Sequence, residues 1–177
     1  VMVLEVMGRD AGHIALNAGI AGGADVILVP EIDYSLDAVT KKLHRIKAQG
    51  RNFGLVVISE AVKTPEGDTR QMEFGDGEQR YGGVGHYIGA EIAGVTGFET
   101  RVTVLGHVQR GAAPTYSDRL LASAMGVHAV DLVAEGESER MVAWKNRQVV
   151  NVPLRDAVAA YQDVDINGTL VHTARAL

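Results

Sequence analysis

Arg101, His107 and Arg110 are the side chains best suited to chemistry on an anion, and Gly106, Gln109, Gly111, Asp118 and Arg119 surround them in sequence. The spacing puts two guanidiniums and an imidazole around one strand end and the turn after it. An arginine fork binds phosphate oxygens bidentately, and histidine adds a hydrogen bond that strengthens when the ring is charged. Together they would make a phosphate clamp. Two surface arginines and a hydrogen-bonded turn histidine would give the same pattern, and spacing alone does not choose between the readings. A second candidate is Tyr81-Gly82-Gly83-Val84-Gly85, whose backbone N–H groups could cradle an anion at a helix start. It lacks the Lys and Ser/Thr of a P-loop and misses the dinucleotide fingerprint, so a close-packed turn is the plainer reading. His13, His44, His86, His128 and His172 lack the mutual spacing of metal ligands. Asp25, after a Gly-Gly pair, reads as a loop carboxylate.

Such groups need elements to position them. Residues 1–7 are apolar apart from Glu5 and stop at Gly8-Arg9, which predicts a buried strand. A helix follows over 11–20, halted by Gly22-Gly23, and Val26-Ile27-Leu28-Val29 reads as a strand buried on both faces. Ser35 caps a helix with Leu36, Val39, Leu43 and Ile46 on one side, Lys41, Lys42, Arg45 and Lys47 on the other, and Gly50 at its end. Residues 55–58 form a third strand running into Ser59-Glu60. Residues 63–80, acidic and glycine-rich with few apolar side chains, predict an exposed loop. A helix through Ile88, Ile92 and Val95 ends at Gly97, and a strand covers 101–105. Pro114 then opens a long helix containing Leu120, Leu121, Met125, Val127, Val130 and Val133. Two short strands, 140–144 and 148–152, join through Lys145-Asn146-Arg147, and a last short helix starts at Pro153. This alternation predicts an α/β, three-layer Rossmann-like domain with a mostly parallel sheet and right-handed crossovers. Ligands of such sheets bind beyond the carboxyl ends of the strands. That rule singles out Gly8-Arg9, Pro30-Glu31, Ser59-Glu60 and the residues after the strand at 101–105.

Composition narrows the classes. The 177 residues hold 22 acidic and 17 basic side chains, net charge −5, and no cysteine. The length suits a single domain over 1–177 with a sizeable core. Without cysteine there is no disulfide scaffold, thiolate nucleophile or Cys-type zinc or iron–sulfur site. The longest apolar stretches fall far short of the roughly 18 residues a membrane span needs, and nothing reads as a secretory signal. Cytoplasm is therefore the expected location, with no membrane partner. The acidic balance argues against a broad grip on nucleic acid, which wants clustered Lys and Arg. Glycine is in excess, 21 residues or about 12% against a usual 7% or so, placed at the ends of apolar runs.

The segment 101–119, Arg-Val-Thr-Val-Leu-Gly-His-Val-Gln-Arg-Gly-Ala-Ala-Pro-Thr-Tyr-Ser-Asp-Arg, resembles the signature of the 6-phosphofructokinase family. Val6-Met7-Gly8-Arg9 with Gly12 and Leu16, Val29-Pro30-Glu31, and Ile58-Ser59-Glu60 match that family's second half in the same order. The resemblance covers residues 3–152; Ala112 departs from it, where the family usually has a second glycine. It implies a glycolytic transferase, a kinase that moves a phosphoryl group from ATP or pyrophosphate to the 1-hydroxyl of fructose 6-phosphate. Met7, Gly8 and Arg9 would touch that sugar phosphate, with Arg9 also facing the phosphoryl group in flight as the catalytic residue. Glu60 would accept a sugar hydroxyl, its plainer reading being a solvated strand-end carboxylate. His107 and Arg110 would hold the 6-phosphate, and Arg101 would reach the same phosphate in a neighbouring subunit, implying a homo-oligomer. The loop 63–80 is similar to that of the long-loop branch, which includes pyrophosphate users.

The family's first half supplies the Gly-Gly-Asp-Gly phosphate loop, the Mg2+-binding carboxylates and the aspartate base, and none of these motifs is present. The expectation is a substrate half without its N-terminal phosphoryl-donor half, with no metal site of its own and inactive alone. The alternative is a stand-alone, regulatory sugar-phosphate-binding module.

Overall fold

The computed structural model describes residues 1–65, 67–73, 79–159 and 161–177. In chain order the elements are β1 (Met2–Val6), α1 (His13–Ala21), β2 (Val26–Leu28), α2 (Leu36–Ala48), β3 (Leu55–Ser59), β4 (Gln71–Glu73), β5 (Gln79–Tyr81), α3 (Val84–Thr96), β6 (Arg101–Val104), a 3-10 turn (Gly106–Arg110), α4 (Tyr116–Ala134), β7 (Arg140–Lys145), β8 (Gln148–Pro153), α5 (Leu154–Ala157) and α6 (Thr169–Ala176). Where the sequence reads as one domain, the chain divides into two compact units, Val1–Arg110 with Gln162–Leu177, and Gly111–Tyr161.

The first unit is the predicted α/β sandwich. Its four-stranded sheet has the order β2-β3-β1-β6, every pair parallel. Side chains alternate across a strand, so each strand feeds two cores. Val3, Val56 and Ile58 pack with Leu43, Ile88 and Ile92 beneath α2 and α3. Val6 and Val57 pack with Ala15, Leu16, Val164 and Val171 beneath α1 and α6. Ile58, Ile88 and Ile92 are essentially fully buried, each stabilising the fold by about 1.5–3 kcal/mol. Asp25 lies in the loop before β2, as expected, with its side chain buried at the rim of this core. It takes a bidentate contact from Arg51, at 2.6 and 3.1 Å, and a hydrogen bond from Leu55 N at 2.8 Å.

Three departures have physical causes. Residues 63–80 are not all loop, since β4 and β5 pair antiparallel and Lys63 bridges Thr69; residues 66 and 74–78 of that segment lie outside the described residues. The pairing is made by backbone groups, and no apolar alternation signalled it. The helix α6 is only eight residues long, below the length at which periodicity separates helix from strand. Pro114 precedes the long helix instead of occupying its first turn: Thr115 is the N-cap of α4, in a capping box with Asp118.

The second unit has almost no interior. Its hairpin closes through Asn146 and Arg147, both at positive φ, as a two-residue turn of the primed type requires. Leu132 is its one buried residue among those described, and Tyr116, Leu120, Val127, Val130 and Val133 of α4 are each more than 60% exposed. These apolar side chains of the long helix are thus on the surface. No helix among the described residues is long and apolar enough to cross a membrane.

Candidate functional site

β1 ends at Val6, and the next three amides are each claimed by a side chain. Met7 N donates to Gln109 Oε1 at 2.9 Å, Gly8 N to Glu60 Oε1 at 3.1 Å, and Arg9 N to the same Glu60 oxygen at 2.9 Å. Glu60 follows β3, whose continuation is anchored by Glu60 N donating to Val6 O. These bonds hold Arg9 at φ 48°, a left-handed conformation uncommon outside glycine. Its guanidinium is left for other work. The Arg9 side chain is 81% exposed and stands 3.8 Å from Asp10 Oδ2, while Asp10 Oδ1 accepts a hydrogen bond from Tyr81 Oη. Glu60 Oε2 has no partner among the described residues.

Gly106, at φ 49°, turns the chain out of β6 into the 3-10 turn. His107 and Arg110 lie exposed on that turn, their side chains making no hydrogen bond or ion pair to the described residues, and Gln109 between them is half-buried. The Gln109 bond to Met7 therefore ties the turn carrying His107 and Arg110 to the loop carrying Arg9. Both sit at the carboxyl edge of the sheet. A negatively charged ligand meeting this edge finds unpaired cationic or hydrogen-bonding side chains and a carboxylate oxygen still able to accept a hydroxyl.

Arg101 does not join them within one chain. It is the first residue of β6, in register with Met2, whereas His107 follows the other end; four strand steps alone separate Arg101 from Leu105 by about 13 Å. The spacing that grouped all three around one strand end is corrected by strand direction. Arg101 instead contacts Glu99 at 2.7 Å, and this hydrogen bond and charge hold the Glu99 carboxyl below its usual range. Asp118, also in the quoted segment, is occupied in capping α4, where its hydrogen bonds from Thr115 lower its pKa.

The glycine turn at 81–85 does cradle an anion, and the anion is internal. Glu5, 1% exposed on β1, accepts from Gly83 N at 3.1 Å and Gly85 N at 2.7 Å. Glu31 is spent similarly, taking Gly12 N and Val164 N at 2.9 Å each. Two residues that shape this edge and are absent from the sequence-based set are Gln109, which bonds Met7 N, and Asp10, which contacts Arg9 and Tyr81. Gln109 stood within the recognised segment, but its partner lies 102 residues away, and only the adjacency of β1 and β6 brings them together. Among the described residues no three His, Asp or Glu side chains gather into a metal site.

The phosphofructokinase family pattern matches residues 1–133. The whole chain is 59% identical to ATP-dependent 6-phosphofructokinase 1 of Synechocystis sp., covering 49% of that protein, and 45% identical to the ATP-dependent 6-phosphofructokinase of Chloroflexus aggregans, again covering 49%. It thus spans about half the length of these curated relatives. Among solved structures, Pichia pastoris phosphofructokinase in the T-state superimposes with a TM-score of 0.71 at 33% identity, over 89% of this chain and 17% of that one. A pyrophosphate-dependent phosphofructokinase from Nitrosospira multiformis gives 0.77 at 25% identity, over 99% of this chain and 46% of that one. A sheet edge bearing Met7-Gly8-Arg9, Glu60, His107 and Arg110 on a chain so matched leads to one conclusion, that the protein belongs to the phosphofructokinase family.

Proposed function

We propose that this chain is the sugar-phosphate half of a 6-phosphofructokinase, whose complete form transfers a phosphoryl group from ATP or pyrophosphate to the 1-hydroxyl of fructose 6-phosphate. The observation carrying the reading is the tied pair of segments at the sheet's carboxyl edge, where Gln109 holds the Met7–Arg9 loop beside the turn bearing His107 and Arg110. In this reading His107 and Arg110 grip the 6-phosphate, and Glu60 Oε2 accepts a sugar hydroxyl while its other oxygen holds the loop. Arg9 faces the phosphoryl group in flight. Phosphoryl transfer offers little covalent work to a protein, so catalysis comes from alignment and from neutralising charge on the equatorial oxygens. An exposed guanidinium on a fixed backbone suits that task.

Arg101 is assigned to a neighbouring subunit's site in a homo-oligomer, supported by its place at the far end of β6. Both carboxylate oxygens of Glu5 and of Glu31 are engaged by backbone amides, and the spare oxygen of Glu60 is assigned to the sugar hydroxyl, so this reading gives none of the three to magnesium. The Mg2+ that accompanies the donor is assigned to the other half, with the sugar-hydroxyl base. The curated relatives named above carry ATP in their names, which favours ATP as donor; the cytoplasm, where sugar phosphates are, is the assigned location.

The test is turnover and binding. The 177-residue chain should bind fructose 6-phosphate in calorimetry yet show negligible phosphorylation with ATP or pyrophosphate, and joining it to a phosphofructokinase donor half should restore turnover. Robust turnover by the chain alone would overturn the division of labour. Binding with no rescue would instead support the regulatory module.

A further inference from the structure

We infer that Gln109 is a positioning residue that sets the aim of Arg9 by replacing the missing last rung of the β1–β6 ladder. This rests on reading Arg9 as the transfer-site arginine. In a parallel pair every second residue of a strand both donates to and accepts from the neighbouring strand. Arg101 N donates to Val1 O and Leu105 N to Glu5 O, so the next rung would run from Met7 N to Leu105 O. That acceptor is taken: once Gly106 turns the chain, Val108 N donates to Leu105 O at 3.3 Å within the 3-10 turn. Met7 N would be left unpaired in a part-buried place, and the Gln109 side-chain oxygen takes it at 2.9 Å. The turn that frees His107 and Arg110 from the sheet is therefore the same turn that supplies the substitute acceptor.

Two consequences distinguish this role from general support. Met7 N is the first of three consecutive anchored amides, and the other two rely on Glu60 alone. Losing the Gln109 acceptor frees the loop at its hinge with β1 and lets Arg9 leave φ 48°, a conformation it would not keep unaided. The turn bearing His107 and Arg110 keeps its own backbone bonds, Val108 N to Leu105 O among them, without the Gln109 side chain, so alignment of the transferring group should suffer more than sugar-phosphate affinity.

The experiment compares Gln109→Leu and Gln109→Glu in a complete phosphofructokinase carrying this chain, with amide hydrogen exchange at Met7 in the 177-residue chain. Leucine removes the acceptor; kcat should fall about 10- to 100-fold, as a misplaced catalytic group costs, with KM for fructose 6-phosphate changing less than about threefold. Glutamate keeps an acceptor oxygen at the same reach while adding charge beside the phosphate arms, so kcat should be largely rescued while KM rises. The Met7 amide should lose protection in the leucine variant and keep it in the glutamate variant. Unchanged kcat in Gln109→Leu, or equal damage from both substitutions, would overturn the inference. Because Met7 exchange reads the bond without any turnover, unchanged protection would sink the tie itself even if the substrate were another sugar phosphate. A wild-type enzyme that ignores fructose 6-phosphate would sink the functional reading and leave that exchange result standing.

Discussion

The carboxylate of Glu5 lies against the first turn of α3, accepting from Gly85 N at 2.7 Å from a position on the central strand that is 1% exposed. A charge so buried is tolerable because the N-terminal end of a helix offers unpaired donors and a favourable dipole. Replacing Glu5 with Gln keeps the shape and turns part of the acceptor pair into donors facing N–H groups. We expect Glu5→Gln to lower stability by about 1–3 kcal/mol in urea unfolding, and Glu5→Ala to cost more because it adds a cavity. A midpoint within error of wild type for both would remove Glu5 from the fold's essential bonds.

Gly8 is fixed by space. A Cβ there would lie 2.5 Å from Ala11 O and 3.0 Å from Ser59 Oγ, and the first of these is backbone in a turn closed by Ala11 N donating to Gly8 O. The expected result of Gly8→Ala is a displaced Arg9 loop, with fructose 6-phosphate affinity and turnover both reduced at least about tenfold. Global stability should drop by only about 1–3 kcal/mol, since the core clusters do not include this turn. Wild-type affinity in the alanine variant would show that the loop can reshape without loss.

Asp118 makes the start of α4 sensitive to acid. Hydrogen bonds from the Thr115 side chain and backbone lower its folded pKa, below an ordinary value of about 3.9. A carboxylate whose folded pKa is depressed contributes stability above its unfolded pKa, and that contribution disappears as pH falls through the folded value. Amide exchange in the first turn of α4 should therefore open at pH values under about 4 in wild type. In Asp118→Asn this pH-dependent step should vanish. Persistence of the step in the asparagine variant would place its origin elsewhere.

Much of the first unit could be read directly, and the reasons are local. The strands at 1–7, 26–29, 55–58 and 101–105 are short apolar runs closed by glycine, proline or polar residues, and each survives in the fold with its end moved by a residue or two. Met7, Gly8, Arg9, Glu60, His107 and Arg110 follow such ends, so the rule about carboxyl edges placed them together. Arg101 was misplaced by spacing because distance along a strand was treated as proximity; only its position at the start of β6 separates it. The exposed face of α4 was unreadable for the opposite reason, since Leu120, Val127 and Val130 have core chemistry and nothing in the letters says which surface covers them. Gln109 and Glu5 depend on strand order, which brings together residues 80 to 102 positions apart.

The arginines should separate by what they lose and by whose site they serve. Arg110→Ala should weaken fructose 6-phosphate binding by about 1.5–3 kcal/mol, as for a lost hydrogen bond to a charged group, or roughly 10- to 150-fold. If Arg9 faces the phosphoryl group in flight as proposed, Arg9→Ala should act mainly on turnover, because such a contact would strengthen as the group moves. Arg101→Ala should resemble Arg110→Ala in a uniform oligomer, yet the two are complementary if Arg101 reaches across. In a mixed oligomer, a site facing a neighbour with Arg101 intact and holding its own Arg110 is whole, while the reciprocal site lacks both. Mixing equal amounts of the two low-affinity variants should thus regenerate roughly a quarter of the wild-type sites with random dimeric pairing, one site in each mixed dimer. If Arg101 served its own chain, every site in the mixture would lack one arginine, and no high-affinity fraction would return.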